Sequence, residues 1–332
     1  MKKIVVIGMV ILAVGAAFWF RSAEQAADPS LVYRLKWLFN ASVAGDIYAD
    51  AGGFFKRAGL NVTVKEGSPE KNAINELELG HAHFGVASAD QVIRALEKGA
   101  KIVVIAQIFQ VNPMQWIYRA DQGEIRTPAG LSGRRVGITF GGNDETIMKT
   151  LLASAGMDDS VQDLVGVRFD FTPFLKGQVD VWPVYRNTQG VILEEKLARE
   201  GEGVLFFNPA DHGVAFVANS VVTTRKMLQK RPETVKRFIA ALADAWEAAM
   251  DPRNEAAVVA AIKARDKGTQ GPVRVRQLRA TRPLVKPAPA FPVGKLDIRA
   301  WQQTLGVMKR LKQVGDRTEI GESLIPGLVP GQ

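Results

Sequence analysis

Aromatic rings and amides recur in this chain at positions suited to gripping a flat, polar molecule. The first set is Trp37 with Asn40, at the end of the apolar run Tyr33, Leu35, Trp37. An indole face stacks on a planar ring, and a carboxamide both donates and accepts along its edge. Tyr48, on the helical stretch that follows, is placed to wall the same pocket. The second set is Trp182, Tyr185 and Asn187, just after the segment 174–181. Trp182 or Tyr185 facing Trp37 would complete an aromatic sandwich. The third is the run Gly141, Gly142, Asn143, Asp144, Glu145. Its glycines let backbone approach a ligand, and exposed N–H groups at a helix start suit an anion. Asp144 and Glu145 repel a sulfonate, phosphate or nitrate there and suit an amino-heterocycle or amine donor. The same acids also complement a helix dipole without any ligand. Ser88, opening a helix after a strand, and Gln110 with Asn112, beyond another strand, are further candidates; a plain N-cap and an ordinary Asn112-Pro113 turn have the same pattern.

Catalytic chemistry finds little support. The chain has no cysteine, which removes thiol nucleophiles, thiolate metal sites and disulfides together. His81, His83 and His212 show no zinc-binding spacing, and no phosphate loop, dinucleotide fingerprint or nucleophile elbow is present. No enzyme activity, metal or cofactor is expected. The net charge of +9 is spread along the chain. A nucleic-acid surface needs clustered basic side chains with interleaved aromatics. Arg274, Arg276, Arg279 and Arg282 come nearest to that and read as a solvated helix end or loop.

These groups need a frame. At 332 residues and 47% hydrophobic content the chain can bury one large core or two lobe-sized ones. Residues 33–64 read as a βαβ unit, strand Tyr33–Trp37, helix, then a strand alternating at Leu60, Val62 and Val64. A helix over 70–79, a short strand at 84–86, a helix over 89–99 and a buried strand over 101–108 continue the alternation. Polar residues at 119–127 mark a boundary, after which strand 136–139 and helix 146–155 open a second α/β unit. A return to the first lobe is expected at 219–224. A helix from Pro232 carries Val235, Phe238, Ile239, Leu242, Trp246 and Met250 at helical spacing. Residues 283–292 read as a Pro-rich surface connection, and 298–312 as a last amphipathic helix. The fold class is α/β, with lobe one at 31–120 and 222–332 and lobe two at 121–221. In open α/β sheets ligands bind beyond the carboxyl ends of strands, where the aromatic sets lie.

The N-terminus has an export pattern. Lys2 and Lys3 precede an apolar run from Ile4 to Phe20, closed by Arg21. Residues 1–27 therefore read as a signal peptide, with an uncleaved inner-membrane anchor as the alternative, since the run approaches the length that spans a bilayer.

Several stretches resemble the NMT1/THI5-like group of solute-binding proteins. Trp37-Leu38-Phe39-Asn40 resembles a W-x-P-N strand end, with Phe39 in the proline position. Gly53-Phe54-Phe55 leading to Gly59-Leu60-Asn61-Val62 resembles the following G-Y-F-x-x-x-G-L-x-V, and Thr127 to Ile138 resembles the signature that begins lobe two. Trp182-Pro183-Val184-Tyr185-Arg186-Asn187 is similar to a W-P-x-Y-x-x-N run of pyrimidine- and flavin-precursor binders. Val43 stands where thiamin-pyrimidine members often carry His. The resemblance implies a type II periplasmic binding fold with a ligand cleft between two lobes. It also implies a monomeric, periplasmic partner of an ABC permease and its cytoplasmic ATPase, capturing a small planar nitrogen heterocycle. A taurine or alkanesulfonate binder is the alternative within that class, and would need a basic cleft residue that no sequence feature identifies. A membrane-anchored periplasmic sensor is the alternative outside it.

Overall fold

Leu31–Arg34 (β1) and Val62–Lys65 (β2) pair in parallel around the helix Ala44–Ala51 (α1), as a βαβ unit requires. The computed structural model describes residues 30–68, 70–157, 163–168 and 170–329. The segment 1–27 assigned to export lies outside the described residues. Phe84–Ala87 (β3), the helix Ala89–Glu97 (α2) and Ile102–Gln107 (β4) follow. Then come Met114–Arg119 (β5), Val136–Ile138 (β6), the helix Asn143–Ser154 (α3) and Leu164–Gly166 (β7). Val181–Tyr185 (β8), the helix Gln189–Arg199 (α4), Val204–Phe207 (β9) and Ser220–Thr224 (β10) complete the strands among the described residues. Four long helices end the chain: Pro232–Met250 (α5), Glu255–Arg265 (α6), Gly271–Val285 (α7) and Ile298–Arg310 (α8).

The strands form two sheets, ordered β2-β1-β3-β10-β4 and β7-β6-β8-β5-β9. Each is parallel apart from one strand entering from the other lobe. β10 runs antiparallel to β3 and β4, and β5 runs antiparallel to β8 and β9. This corrects the expected boundary. β5 belongs to the second sheet, so the first crossing occupies 108–113 and not the polar break at 119–127. The second occupies 208–219, and residues 220–224 are already β10. The lobe ranges shift accordingly. The physical reason is that the true crossing is apolar, with Ile108 and Phe109 buried, so the hydrophobic pattern does not break there. The two crossings are tied together: Asn112 Nδ2 donates to the Phe216 carbonyl at 2.8 Å, and Ile108 N donates to the Asn219 carbonyl at 2.9 Å.

α5 holds the first lobe. Its expected apolar stripe is buried in full, and Phe238 stacks on Phe84 with ring centroids 3.6 Å apart. Its Trp246 lies so close to α1 that a Cβ on Gly45 would fall 2.1 Å from the indole. Only glycine permits that approach. A second apolar cluster joins the lobes, including Ile102 and Val104 of the first sheet and Trp116 and Val136 of the second. Pro283 sits inside α7, against the expectation of a loop from that residue. A proline one turn from a helix end sacrifices a single hydrogen bond, and Val285 beyond it is fully buried. Tertiary packing outweighs that local loss. The basic set is split: Arg276 and Arg279 are exposed on the helix, as expected, and pair with Glu195 and Glu255, whereas Arg274 is buried and Arg282, partly buried, also pairs with Glu255.

Candidate functional site

β1 ends at Arg34, earlier than the alternation suggests, and residues 36–40 bend across the carboxyl edge of the first sheet. They form one wall of a cavity of about 250 Å³ between the lobes. The bend is set by Asn40, whose Oδ1 accepts from Ser42 N at 2.8 Å and from Ser42 Oγ at 2.5 Å. Lys36, Trp37 and Asn40 line this wall, and Asn143, Asp144, Trp182 and Tyr185 of the second lobe line the other. Six residues expected from the sequence are therefore brought together: Trp37, Asn40, Asn143, Asp144, Trp182 and Tyr185.

The aromatic pair across the cleft differs from a simple sandwich. Trp37 is half-buried, whereas Trp182 is only 1% exposed and packs edge-to-face on Phe171, with centroids 6.1 Å apart. The ring face of Tyr185 is occupied by Lys36 Nζ, 5.4 Å from its centroid.

Two basic residues that no sequence feature identified line the cleft, Lys36 and the exposed Arg168, which pairs with Glu70 at 3.5 Å; Lys36 is the one engaged between the lobes. Its Nζ donates to Asn143 Oδ1 and to the Tyr185 hydroxyl, both at 2.9 Å, and Tyr185 donates onward to Asn219 Oδ1 at 3.2 Å. One cation thereby ties the first lobe to the second. Asp144 lies close enough to feel its charge. The Asp144 carboxylate accepts from Thr139 N at 2.5 Å. Burial nevertheless pushes its pKa up to about 6, only partly offset by Thr139 and by Lys36.

The other candidates lie elsewhere. Glu145 turns away from the cleft, pairs with Lys149 at 2.9 Å, and accepts from Gly141 N at 2.8 Å. Gly142 and Glu145 line a separate cavity of about 590 Å³ with Arg94 and Lys149. A Cβ on Gly142 would lie 2.4 Å from Asp144 Oδ1, so this glycine shapes the turn that presents Asp144. Ser88 is a buried N-cap, its backbone N donating to Gln91 Oε1 at 3.2 Å and its hydroxyl to Asp90 Oδ1 at 2.6 Å. Tyr48 packs on Phe54, with ring centroids 5.5 Å apart. Gln110 fastens the first crossing, donating to the Gln107 carbonyl at 2.8 Å and the Lys295 carbonyl at 3.1 Å. Asn187 is buried behind the cleft, donating to Thr281 Oγ1 at 2.8 Å. None of these four lines the cleft cavity, because each is drawn into a cap, a core contact or a crossing.

Three lining residues, Asp266, Thr269 and Gln277, come from the C-terminal third, which the sequence reading matched only by pattern. Asp266 and Thr269 precede the helix that carries Gln277, and Gln277 shares its face with Arg274 and Thr281, so no sequence signal singles the three out. Among the described residues no cluster of His, Cys, Asp and Glu is arranged to hold a metal ion, and His83 serves the sheet, its Nδ1 accepting from Val32 N at 3.1 Å.

Known proteins resemble this chain in sequence or in fold. A putative thiamine biosynthesis protein of Haemophilus influenzae is 26% identical over 237 residues, covering 69% of this chain and 72% of that one. A formylaminopyrimidine-binding protein of Halalkalibacterium halodurans is 25% identical over 214 residues, covering 64% of this chain and 63% of its own. The alkanesulfonate-binding protein SsuA of Xanthomonas axonopodis pv. citri, solved with MOPS bound, superimposes with a TM-score of 0.68 at 16% identity, covering 91% of this chain and all of that one. At that identity the likeness speaks for the two-lobed periplasmic-binding-protein fold alone. The model of the NMT1/THI5-like family matches residues 40–256, well over half of the chain, and the protein belongs to that family.

Proposed function

We propose that this protein is the periplasmic solute-binding component of an ABC importer. On this reading it is not an enzyme, and its cleft captures a small planar nitrogen heterocycle bearing amino groups, of the formylaminopyrimidine or thiamin-pyrimidine-precursor class. The observation that carries this reading is the cleft wall itself: aromatic rings and amides around the buried carboxylate of Asp144, which lies next to Lys36, with Asp266 and the exposed Arg168 also in the lining. At about 250 Å³ the cavity is below the usual range for drug-sized ligands (roughly 300–1,000 Å³), which suits a single substituted ring. The name of the Halalkalibacterium halodurans relative supports the same ligand class. Export is supported by the Lys2-Lys3 pair and the apolar run to Phe20. Among the described residues no helix is long and apolar enough to cross a membrane.

One observation favours a second reading. Lys36 is the cation an alkanesulfonate would need. It is already shared between Asn143 and Tyr185, however, and the buried Asp144 would repel an anion brought beside it. Calorimetric titration with a formylaminopyrimidine and with taurine separates the two. The heterocycle is expected to bind and to reduce the radius of gyration in small-angle scattering, because lobes hinged at 108–113 and 208–219 close on it. Tight taurine binding with no response to the heterocycle overturns the first reading in favour of the second.

A further inference from the structure

The corner between α6 and α7, residues 266–277, reaches the cleft from beyond residue 256, where the family match ends. Gln277 is fully buried there, and its Nε2 donates to the Thr188 carbonyl at 3.1 Å. That bond determines which end of the amide is nitrogen, and Oε1 is left buried without a partner. Asp266 is built the same way. Its Oδ1 accepts from the backbone N–H of Gly268 and of Thr269, each at 3.1 Å, while Oδ2 is buried and unpartnered. The buried guanidinium of Arg274 donates to the backbone carbonyls of Asp266, at 3.0 Å, and of Thr269, so the corner is held in shape independently of any ligand. On the second lobe Asn143 has the opposite character. Its Oδ1 accepts from Lys36, which leaves Nδ2 as a buried donor with no partner.

Buried polar atoms are almost always hydrogen-bonded, and three of the unpartnered ones belong to residues lining this one cavity, where a ligand can satisfy them. We propose that the Asp266–Gln277 corner is the specificity wall of the cleft. Gln277 Oε1 and Asp266 Oδ2 accept N–H hydrogens from an exocyclic amino group, while Asn143 Nδ2 donates to a ring nitrogen or carbonyl. The assignment rests on the heterocycle reading and adds which rings are kept. A ring with an amino group satisfies both acceptors, whereas the same ring with methyl in that place leaves both unpaired, and sites built to bond a polar group reject the analogue that lacks it.

The test titrates the full-length protein with an aminopyrimidine and with its methyl isostere. Wild type is expected to prefer the amino ring by about tenfold or more, the size of a lost hydrogen bond to a buried acceptor. Gln277→Leu should abolish most of that preference by weakening the amino ring alone. Asp266→Asn keeps Oδ1 for the turn and puts a donor where the second acceptor was, so it should do the same by an independent route. Circular dichroism and thermal melts show whether each variant is folded. Equal loss for both rings in both folded variants, or no loss in either, overturns the assignment. A wild type that binds neither ring overturns the heterocycle reading itself, a result distinct from retained binding with an unchanged preference.

Discussion

Asp144 and Glu145 are adjacent acids at the start of one helix, and the structure gives them opposite surroundings. Successive helical residues point roughly 100° apart, so the two cannot look into the same space. Asp144 is 4% exposed, faces the cleft, and is raised to about 6 by burial. Burial would raise Glu145 as well, but the Lys149 hydrogen bond, the Gly141 N–H and the nearby Lys149 and Arg94 charges hold it below the usual carboxylate range. One acid lines the cleft, and the other is spent on a surface ion pair and a turn. A count of charges near a glycine-rich loop says nothing about which role each one takes.

The largest expected effect follows from that contrast. Asp144→Asn should weaken heterocycle binding about tenfold to a hundredfold, the range of a hydrogen bond to a charged group. Glu145→Gln should change it by less than about twofold. Paired calorimetry on the two variants reads the difference, and comparable losses would mean that the two cavities act as one site.

Titration should give a smaller effect. Asp144 is ionised above about pH 6, so affinity for an amino-bearing ring should fall as the pH drops through that value, by up to about tenfold per unit. Asp144→Asn should remove this slope while Glu145→Gln leaves it. Taking the ratio of wild type to Asp144→Asn at each pH cancels protonation of the ring itself. A slope that persists in Asp144→Asn would assign the titration to another group.

Stability should show the smallest signal. A carboxyl raised in the folded state stabilises below its unfolded pKa, and that contribution is lost as pH rises through the folded value. Asp144 at about 6 and Asp46 at about 7 both have this sign. Glu145, being lowered, has the reverse: its contribution is present above the usual carboxylate range and lost as pH falls. Asp46 is buried in the first lobe, accepting from the Tyr33 hydroxyl at 2.6 Å and Trp246 Nε1 at 3.3 Å. The melting temperature should therefore decline from about pH 4 to about pH 7, and Asp46→Asn, which keeps an acceptor for both donors, should flatten that decline. An unaltered decline in Asp46→Asn would show that Asp46 stays ionised across the range.

Much of the frame was legible from residue order. The βαβ start, the Ser88 cap, the α5 stripe from Val235 to Met250 and the glycine turn at 141–142 follow from periodicity and local backbone chemistry, which act over a few residues. The site was legible in part for the same reason. Trp37 and Asn40 follow β1 and Tyr185 ends β8, positions that alternation points to, whereas Trp182 lies inside β8 and reaches the cavity from within the sheet. Ser88 and Asn187 do not line the cleft: a cap or a buried amide has the same local pattern as a ligand contact, so residue order alone leaves both roles open.

By itself, then, the sequence determined the alternating α/β elements, the family and the aromatic–amide character of the cleft, because each depends on short-range spacing. Only the tertiary structure decided that β5 joins the second sheet, that Lys36 meets Tyr185 across 149 positions, and that Gln277 reaches Thr188 across 89. Those outcomes depend on which surfaces pack together. The same strand, lysine or glutamine is locally compatible with several partners, and burial in one particular arrangement selects among them.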